Sequence, residues 1–381
     1  MKDKIKAQIH QSLSEIDPLS WDSWFGKHYP FLRSSFLTGL EETGCTTERS
    51  GWQPAHITLS QGEETLATIP AYIKSHSYGE YVFDWSWADA WQRMGLKYYP
   101  KLTTAVPFTP ATGPRIWCRE DQKQQISKIA ITIQSLCASL NLSSWHVLFL
   151  EEEDSRSLIK CGMPQRLTTQ FHWFNKNYSD FQDFLNRFSS RKRKNLRRER
   201  DHINRQGIEF RTVCGEQITI EDWKFFHRCY RTTYAKRSGH AGYLTEAFFV
   251  QTCPSLGEAP VMVIASRQGK PIAAALFFQG AKTLYGRYWG CLEEWEYLHF
   301  ETCYYQGIEY CIKKDLSRFD PGAQGEHKIQ RGFEPILTYS NHWIVDERLR
   351  PAVESFAEQE REQVLTYLRE ASSLLPFKKL D

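Results

Sequence analysis

The alternation of polar and apolar positions changes period twice between residues 283 and 330. Residues 283–290 are rich in aromatic side chains and follow the tight turn at 280–282, a pattern that predicts a strand. Leu298, Glu301, Tyr305, Ile308 and Ile312 then recur at steps of three and four, which predicts one face of a helix running from 298 to about 314. Residues 319–328 read as the end of a strand and a glycine-bearing loop. Glu301 lies on the apolar face of the helix, where a carboxylate needs a partner or a function.

The first half of the chain mixes both periods. Residues 1–28 read as a polar helix, and 30–42 as a second helix stopped near Gly44. Residues 56–59 and 66–74 read as strands joined by the turn at 61–63, with a third strand at 81–85. A helix at 87–94 is closed by Gly95, and 98–108 is extended. Pro110, Gly113 and Pro114 make 109–115 a rigid loop, either a plain connection or one wall of a substrate cleft. Residues 121–140 carry Ile126, Ile129, Ile133, Leu136 and Leu140 on one helical stripe. A short apolar strand (145–150), a helix (151–160) and an extended piece (167–174) complete a mixed α/β or α+β region ending near residue 175.

The second half opens with Phe181, Phe184, Leu185 and Phe188 on one face of a short helix. A basic helix follows at 190–206, with seven basic residues among positions 191–200. Leu196 and Ile203 are enough to seat it while its other faces stay wet, and Gly207 is a stop. Then come a strand (208–213), an aromatic-rich helix (220–234) and a basic loop (236–243) able to close over a ligand. Three strands at 261–266, 272–279 and 284–288, joined by tight turns, form an antiparallel meander.

Length and charge narrow the possibilities. A chain of 381 residues suggests two domains, and 41% hydrophobic residues supply their cores. A net charge of +3 excludes a polyanion binder acting through its overall charge. Phosphate recognition must come from a patch, and Arg193, Lys194 and Arg197 are the candidates; otherwise the basic helix is simply solvated, with Glu199 and Asp201 as partners. Aromatic residues at 14% are either large core side chains or stacking surfaces. The ten cysteines form no Cys-x-x-Cys pair, which argues against a zinc ribbon or redox motif and for scattered thiols in a reducing compartment. His299 and Cys303, four apart, are the one local metal or nucleophile pattern, and further ligands are missing, so no metal is expected. No signal peptide is read at the N-terminus and no apolar run has bilayer length, so a cytoplasmic protein is expected, able to visit a membrane surface.

The order of basic helix, strand, helix, meander, helix, strand and lysine-bearing loop resembles the FemAB-like branch of the GNAT acyltransferase superfamily. The resemblance is carried by Ser189 to Asn195, Gly286 to Gly290, Leu298 to Tyr305 and Gly322 to Phe333, and in the first half by Gly79 to Asp84 and Tyr98 to Leu102. It implies a mixed α/β fold of two tandem GNAT-like lobes, 1–175 and 176–381, with the transfer site in the second. Relatives in this branch add amino acids from aminoacyl-tRNA to peptidoglycan precursors. The chain lacks a Gln/Arg-x-x-Gly-x-Gly segment before a helix, the usual pyrophosphate loop of acyl-CoA enzymes. The resemblance therefore implies an aminoacyl-tRNA donor ahead of acyl-CoA, with tRNA and a phosphate-bearing cell-wall precursor as partners. Acyl transfer to an amine needs a base and donors aimed at an oxyanion. Glu301 is the first candidate base, since burial raises a carboxylate's proton affinity, and His327 is its rival. Arg287, Lys328 and Arg331 are candidates for phosphate or oxyanion contacts, and Tyr288 or Tyr304 for protonating the leaving group. The alternatives are an acyl-CoA-dependent N-acyltransferase and a non-catalytic binder of a cell-wall precursor or anionic surface.

Overall fold

Prolines and buried charges decide where the elements of the N-terminal region begin and end. The computed structural model describes residues 5–119, 125–323 and 325–378. Its first unit combines Met1–Thr169 with Leu337–Tyr367. One sheet of this unit holds Lys6–His10, His56–Gln61, Glu64–Ile69 and Trp117–Cys118, in that order and antiparallel throughout. The other holds Glu334–Ile344, Ser144–Leu150, Lys101–Thr104, Tyr72–Lys74 and Trp52–Pro54. Ile57, Leu59, Ile69, Trp145 and Val147 pack with Ile129 and Ile133 of the helix Ile126–Ser139.

Several expectations for this unit need correction. The polar helix over 1–28 is instead a strand, Lys6–His10, paired with His56–Gln61, and a separate helix, Pro18–Phe25. Asp17 caps that helix through the Ser20 amide, and Pro18 fits its first turn. The strand expected over 66–74 divides at Pro70, which has no N–H for a ladder, and its two parts join different sheets. Residues 81–85 form no strand. Glu80 and Asp84 turn inward to the buried amine of Lys101, at 2.9 and 2.5 Å, and the chain enters the helix Trp85–Arg93. Part of the helix expected over 121–140 lies at 121–124, outside the described residues. The 109–115 loop is braced from within: buried Arg115 donates to the carbonyls of Leu148, Pro114 and Ala111 at 2.8, 2.7 and 2.6 Å. Nor does a single boundary near 175 describe the chain. Residues 337–367 return to the first unit, where Tyr339 to Ile344 pair with Ser144–Leu150.

The second unit combines Gln170–Ile336 with Leu368–Asp381. Its strands Pro260–Arg267, Lys270–Gln279 and Thr283–Cys291 form the expected antiparallel meander, and Ile208–Cys214 pairs antiparallel to the first of them. Arg318–Asp320 then pairs parallel to Thr283–Cys291. A parallel neighbour requires a crossover, and the helical segment from Leu298 to Lys313 supplies it. The helix Ile220–Ser238 packs on the meander at Gly290, where an added Cβ would lie 2.2 Å from the Cys229 carbonyl. Ile203, Ile208, Ala265, Ile272 and Leu298 close the core beneath the basic helix. Among the described residues, no helix is long and apolar enough to cross a membrane.

The Gly290 contact is against backbone and has no side chain to move aside. Gly290→Ala is therefore expected to destabilise the protein by about 1–3 kcal/mol, the usual cost of overpacking, read as a lower urea midpoint with an unchanged slope.

Candidate active site

The segment after the meander is not the uniform α-helix its periodicity predicts. Leu298–Phe300 is one α-turn, Glu301–Tyr305 is π-helical, and Gln306–Lys313 resumes the α-helix. Tyr297, just before it, has a left-handed backbone with φ of 65°. The wider π turn inserts one residue, so the side chains on either side of it share faces that a 3.6 repeat keeps apart. Glu301, Thr302, Tyr304 and Tyr305 are all buried as a result.

The basic helix, Ser190–Arg205, grips this segment through two adjacent residues. Arg200 donates from Nη2 and Nε to the two oxygens of Glu301, at 2.8 and 3.1 Å, and from Nη1 to Glu309 at 2.6 Å. Burial alone would lower its pKa, but Glu301 and Glu309 hold the Arg200 guanidinium above its ordinary range. Gln306 also donates to Glu301 at 2.8 Å. The expected base is thus a buried carboxylate with both oxygens committed to Arg200. Next to Arg200, Glu199 accepts two hydrogen bonds from Arg331, at 2.9 and 3.0 Å, and one from the Tyr305 hydroxyl.

Beyond the π turn, the Tyr304 hydroxyl lies 2.8 Å from His327 Nε2. His327 belongs to the 3₁₀ turn Glu326–Arg331, which also places Lys328 and Arg331. The Arg331 guanidinium sits 3.4 Å above the Phe300 ring and donates to the His327 carbonyl at 2.8 Å. Partial burial of the ring, then Arg331, Lys328 and Arg237, pull the His327 pKa down to about 4, although the residue as a whole is exposed. Burial raises the Tyr304 phenol well above its ordinary value, so it keeps its proton. Lys328 is buried, donates to the Gly322 carbonyl at 2.6 Å, and is lowered by burial to about 8 against the opposing charge of Asp320. Arg287 borders the same turn, its Nη1 3.7 Å from where a Gly322 side chain would begin. His299 packs against Trp289, Tyr304 and His327 and is lowered by burial to about 3. Burial pushes the Cys303 thiol well up, which leaves it no thiolate character for a Cys–His nucleophile. Among the described residues, no three metal-ligating side chains converge.

The structure thus brings together Tyr304, His327, Lys328 and Arg331, borders them with Arg287, and ties Glu301 to them through the basic helix. Arg193, Lys194 and Arg197 lie on the outward part of that helix, where Arg197 donates to Gln182 at 2.8 Å. The Tyr288 ring packs on Tyr230 and Phe249, with the Arg287 guanidinium 5.3 Å from its centroid. Arg200 was not singled out in the sequence, Glu199 entered only as a partner of a solvated basic helix, His299 only as half of a His–Cys pattern, and Arg237 only as part of the basic loop. Arg200 and Glu301 are 101 positions apart, and no local pattern links them.

The chain matches the FemAB-like family, described as peptidoglycan biosynthesis/recognition, over residues 12–379, and it belongs to that family. Among solved structures it is similar to FemX, with 10% identity, a TM-score of 0.55, and coverage of 92% of this chain and 100% of that one. It is also similar to a conserved protein of unknown function from Bacteroides thetaiotaomicron VPI-5482, with 10% identity, a TM-score of 0.50, and coverage of 90% and 100%. No curated protein matches. The fold is mixed α/β, and the family places the chain in peptidoglycan biosynthesis or recognition.

Two stability tests follow from the site. Arg331→Met leaves Glu199 without its guanidinium and should cost about 3–5 kcal/mol in urea unfolding, as breaking a largely buried pair does. His172, His299 and His327 are lowered from 6.5 to about 4, 3 and 4, with burial the leading cause. The unfolded chain therefore binds more protons than the folded chain between these values and 6.5, and stability falls as pH drops through that window. The urea midpoint should decline from about pH 7 to about pH 4.5, and His299→Phe should flatten the decline. An unchanged midpoint counts against neutral imidazoles.

Proposed function

We propose that the second unit transfers an aminoacyl group from an aminoacyl-tRNA-type donor to an amine on a cell-wall-precursor-like or peptide acceptor, forming an amide. The observation that carries this reading is the Tyr304–His327 hydrogen bond, set among Lys328, Arg331 and Arg237, with the imidazole held neutral. A neutral imidazole has its lone pair free to take a proton, and its lowered basicity means that the proton is held only briefly before it passes on to the leaving group. As the acceptor nitrogen attacks the ester carbonyl, its proton passes to the Tyr304 oxygen while the Tyr304 proton passes to His327 Nε2. The new C–N bond forms, the carbonyl oxygen gains negative charge, and the surrounding cations stabilise it. Collapse breaks the C–O ester bond, and the proton held by His327 returns through Tyr304 to the departing hydroxyl. Glu301 fixes the helix through Arg200 and stands outside the proton path.

The basic helix supports a phosphate-bearing donor. Its first turn holds Arg191, Lys192 and Arg193 with no acidic residue, so their charges add to the positive end of the helix dipole. An anion beside that turn relieves the repulsion, and the phosphates of a nucleic acid supply one.

The test incubates the purified chain with cell extract and either labelled aminoacyl-tRNA or labelled acyl-CoA, and counts label in stable amide. Label from tRNA is expected, with His327→Gln slower by about 10²–10⁴-fold, the usual contribution of a positioned base. Label from acyl-CoA alone overturns the donor assignment, and tight precursor binding without transfer overturns the enzyme reading. Replacing Arg193, Lys194 and Arg197 with Ala should lower the salt dependence of tRNA binding by a log–log slope of about 2.

A further inference from the structure

The helix Ile220–Ser238 ends beside a cluster of rings at the protein surface, where Tyr234 packs on the buried Tyr230. Gly239, with φ of 71°, closes the helix, and residues 239–243 are pinned in place by Tyr230. The Tyr230 hydroxyl accepts from the amides of Tyr243 and Leu244, at 2.9 and 3.3 Å. Gly242, with φ of 93°, lies against the Tyr230 ring so closely that a Cβ there would sit 2.4 Å from it. The basic loop expected from the sequence is thus held on the end of the helix by Tyr230. It presents the exposed His240 ring between Tyr234 and Tyr243, with centroids 5.4 and 5.1 Å away and each pair tilted by 54°. The Gly242 amide donates to His240 Nδ1 at 3.1 Å, which fixes the ring plane. Lys236 and Arg237 flank the cluster from the last helical turn. Glu294 engages Lys236 at 2.5 Å, and Arg237 is near enough to the Tyr304–His327 pair to shift both.

Rings held at fixed angles at the protein surface beside a guanidinium form a platform for a nucleobase and its phosphate. We infer that Tyr234, His240 and Tyr243 receive the adenine of the acyl donor, with Arg237 on its neighbouring phosphate. The inference rests on the transfer reading for the word donor. Aminoacyl-tRNA is acylated on a terminal adenosine and coenzyme A contains one, so adenosine phosphate is the chemistry common to both sources.

The experiment titrates the full chain with AMP, CMP and adenosine. AMP should bind about tenfold more tightly than CMP, and His240→Ala, at an exposed position, should remove most of that preference. Arg237→Gln should remove the advantage of AMP over adenosine. The trinucleotide CCA and free coenzyme A then identify the source, since the tighter of the two marks the donor. Equal binding of AMP and CMP, or an AMP preference that survives both His240→Ala and Tyr234→Leu, overturns the inference. The transfer assay is scored separately. Adenine binding without transfer removes the enzyme reading and leaves the subsite, whereas transfer with no adenine preference removes the subsite alone.

Discussion

Two neighbouring side chains of the basic helix, Glu199 and Arg200, hold the candidate site together. Arg200 clamps the Glu301 carboxylate at the start of the π turn, and Glu199 clamps Arg331 at the end of the 3₁₀ turn that carries His327. Each pair is largely buried, so each would be costly if broken and contributes modestly if kept. What the pairs supply is position. They fix the segment bearing Tyr304 relative to the turn bearing His327, and the 2.8 Å bond between those two side chains follows. The helix that looked like a free phosphate-binding rod therefore has two faces. One locks the site, and the other, with Arg191, Lys194 and Arg197, meets solvent.

The same arrangement accounts for the electrostatics. Arg331 is neutralised by Glu199 on one side yet remains stacked on Phe300, close to His327. Lys328 is buried within the turn. These surroundings keep the imidazole neutral with its lone pair free, and by the same token make it a weaker base. On the proposed reading the same cations favour the negative oxygen of acyl transfer, at the cost of a weaker base.

Local order in the second unit was legible in the sequence. The meander follows from apolar runs and tight turns, and the basic helix, Ser190–Arg205, lies within a residue of its expected bounds because Ser189 and Gly207 punctuate it. The site was half legible. Tyr304, His327, Lys328 and Arg331 fall close together along the chain and meet in space. Glu301 was seen as needing a partner, but a salt bridge spanning 101 positions leaves no local trace. The π turn was hidden too, since one inserted residue disturbs the apolar repeat without breaking it. In the first unit the misreadings have tertiary causes. Lys6–His10 is a strand only because His56–Gln61 offers it an edge, and the β-like run at 81–85 is overruled by the burial of Glu80 and Asp84 on Lys101. The return of residues 337–367 to the first unit is likewise set by strand pairing with Ser144–Leu150, which composition does not announce.

The central claim is that His327, relayed by Tyr304, takes the proton. The most direct measurement is the pH dependence of single-turnover transfer to a weakly basic amine that stays neutral across the range. The rate should hold as pH falls and decline only near the lowered value of about 4, and His327→Gln should lose both the rate and the inflection. A decline centred at the ordinary imidazole value of 6.5, or one that persists in His327→Gln, would contradict the account.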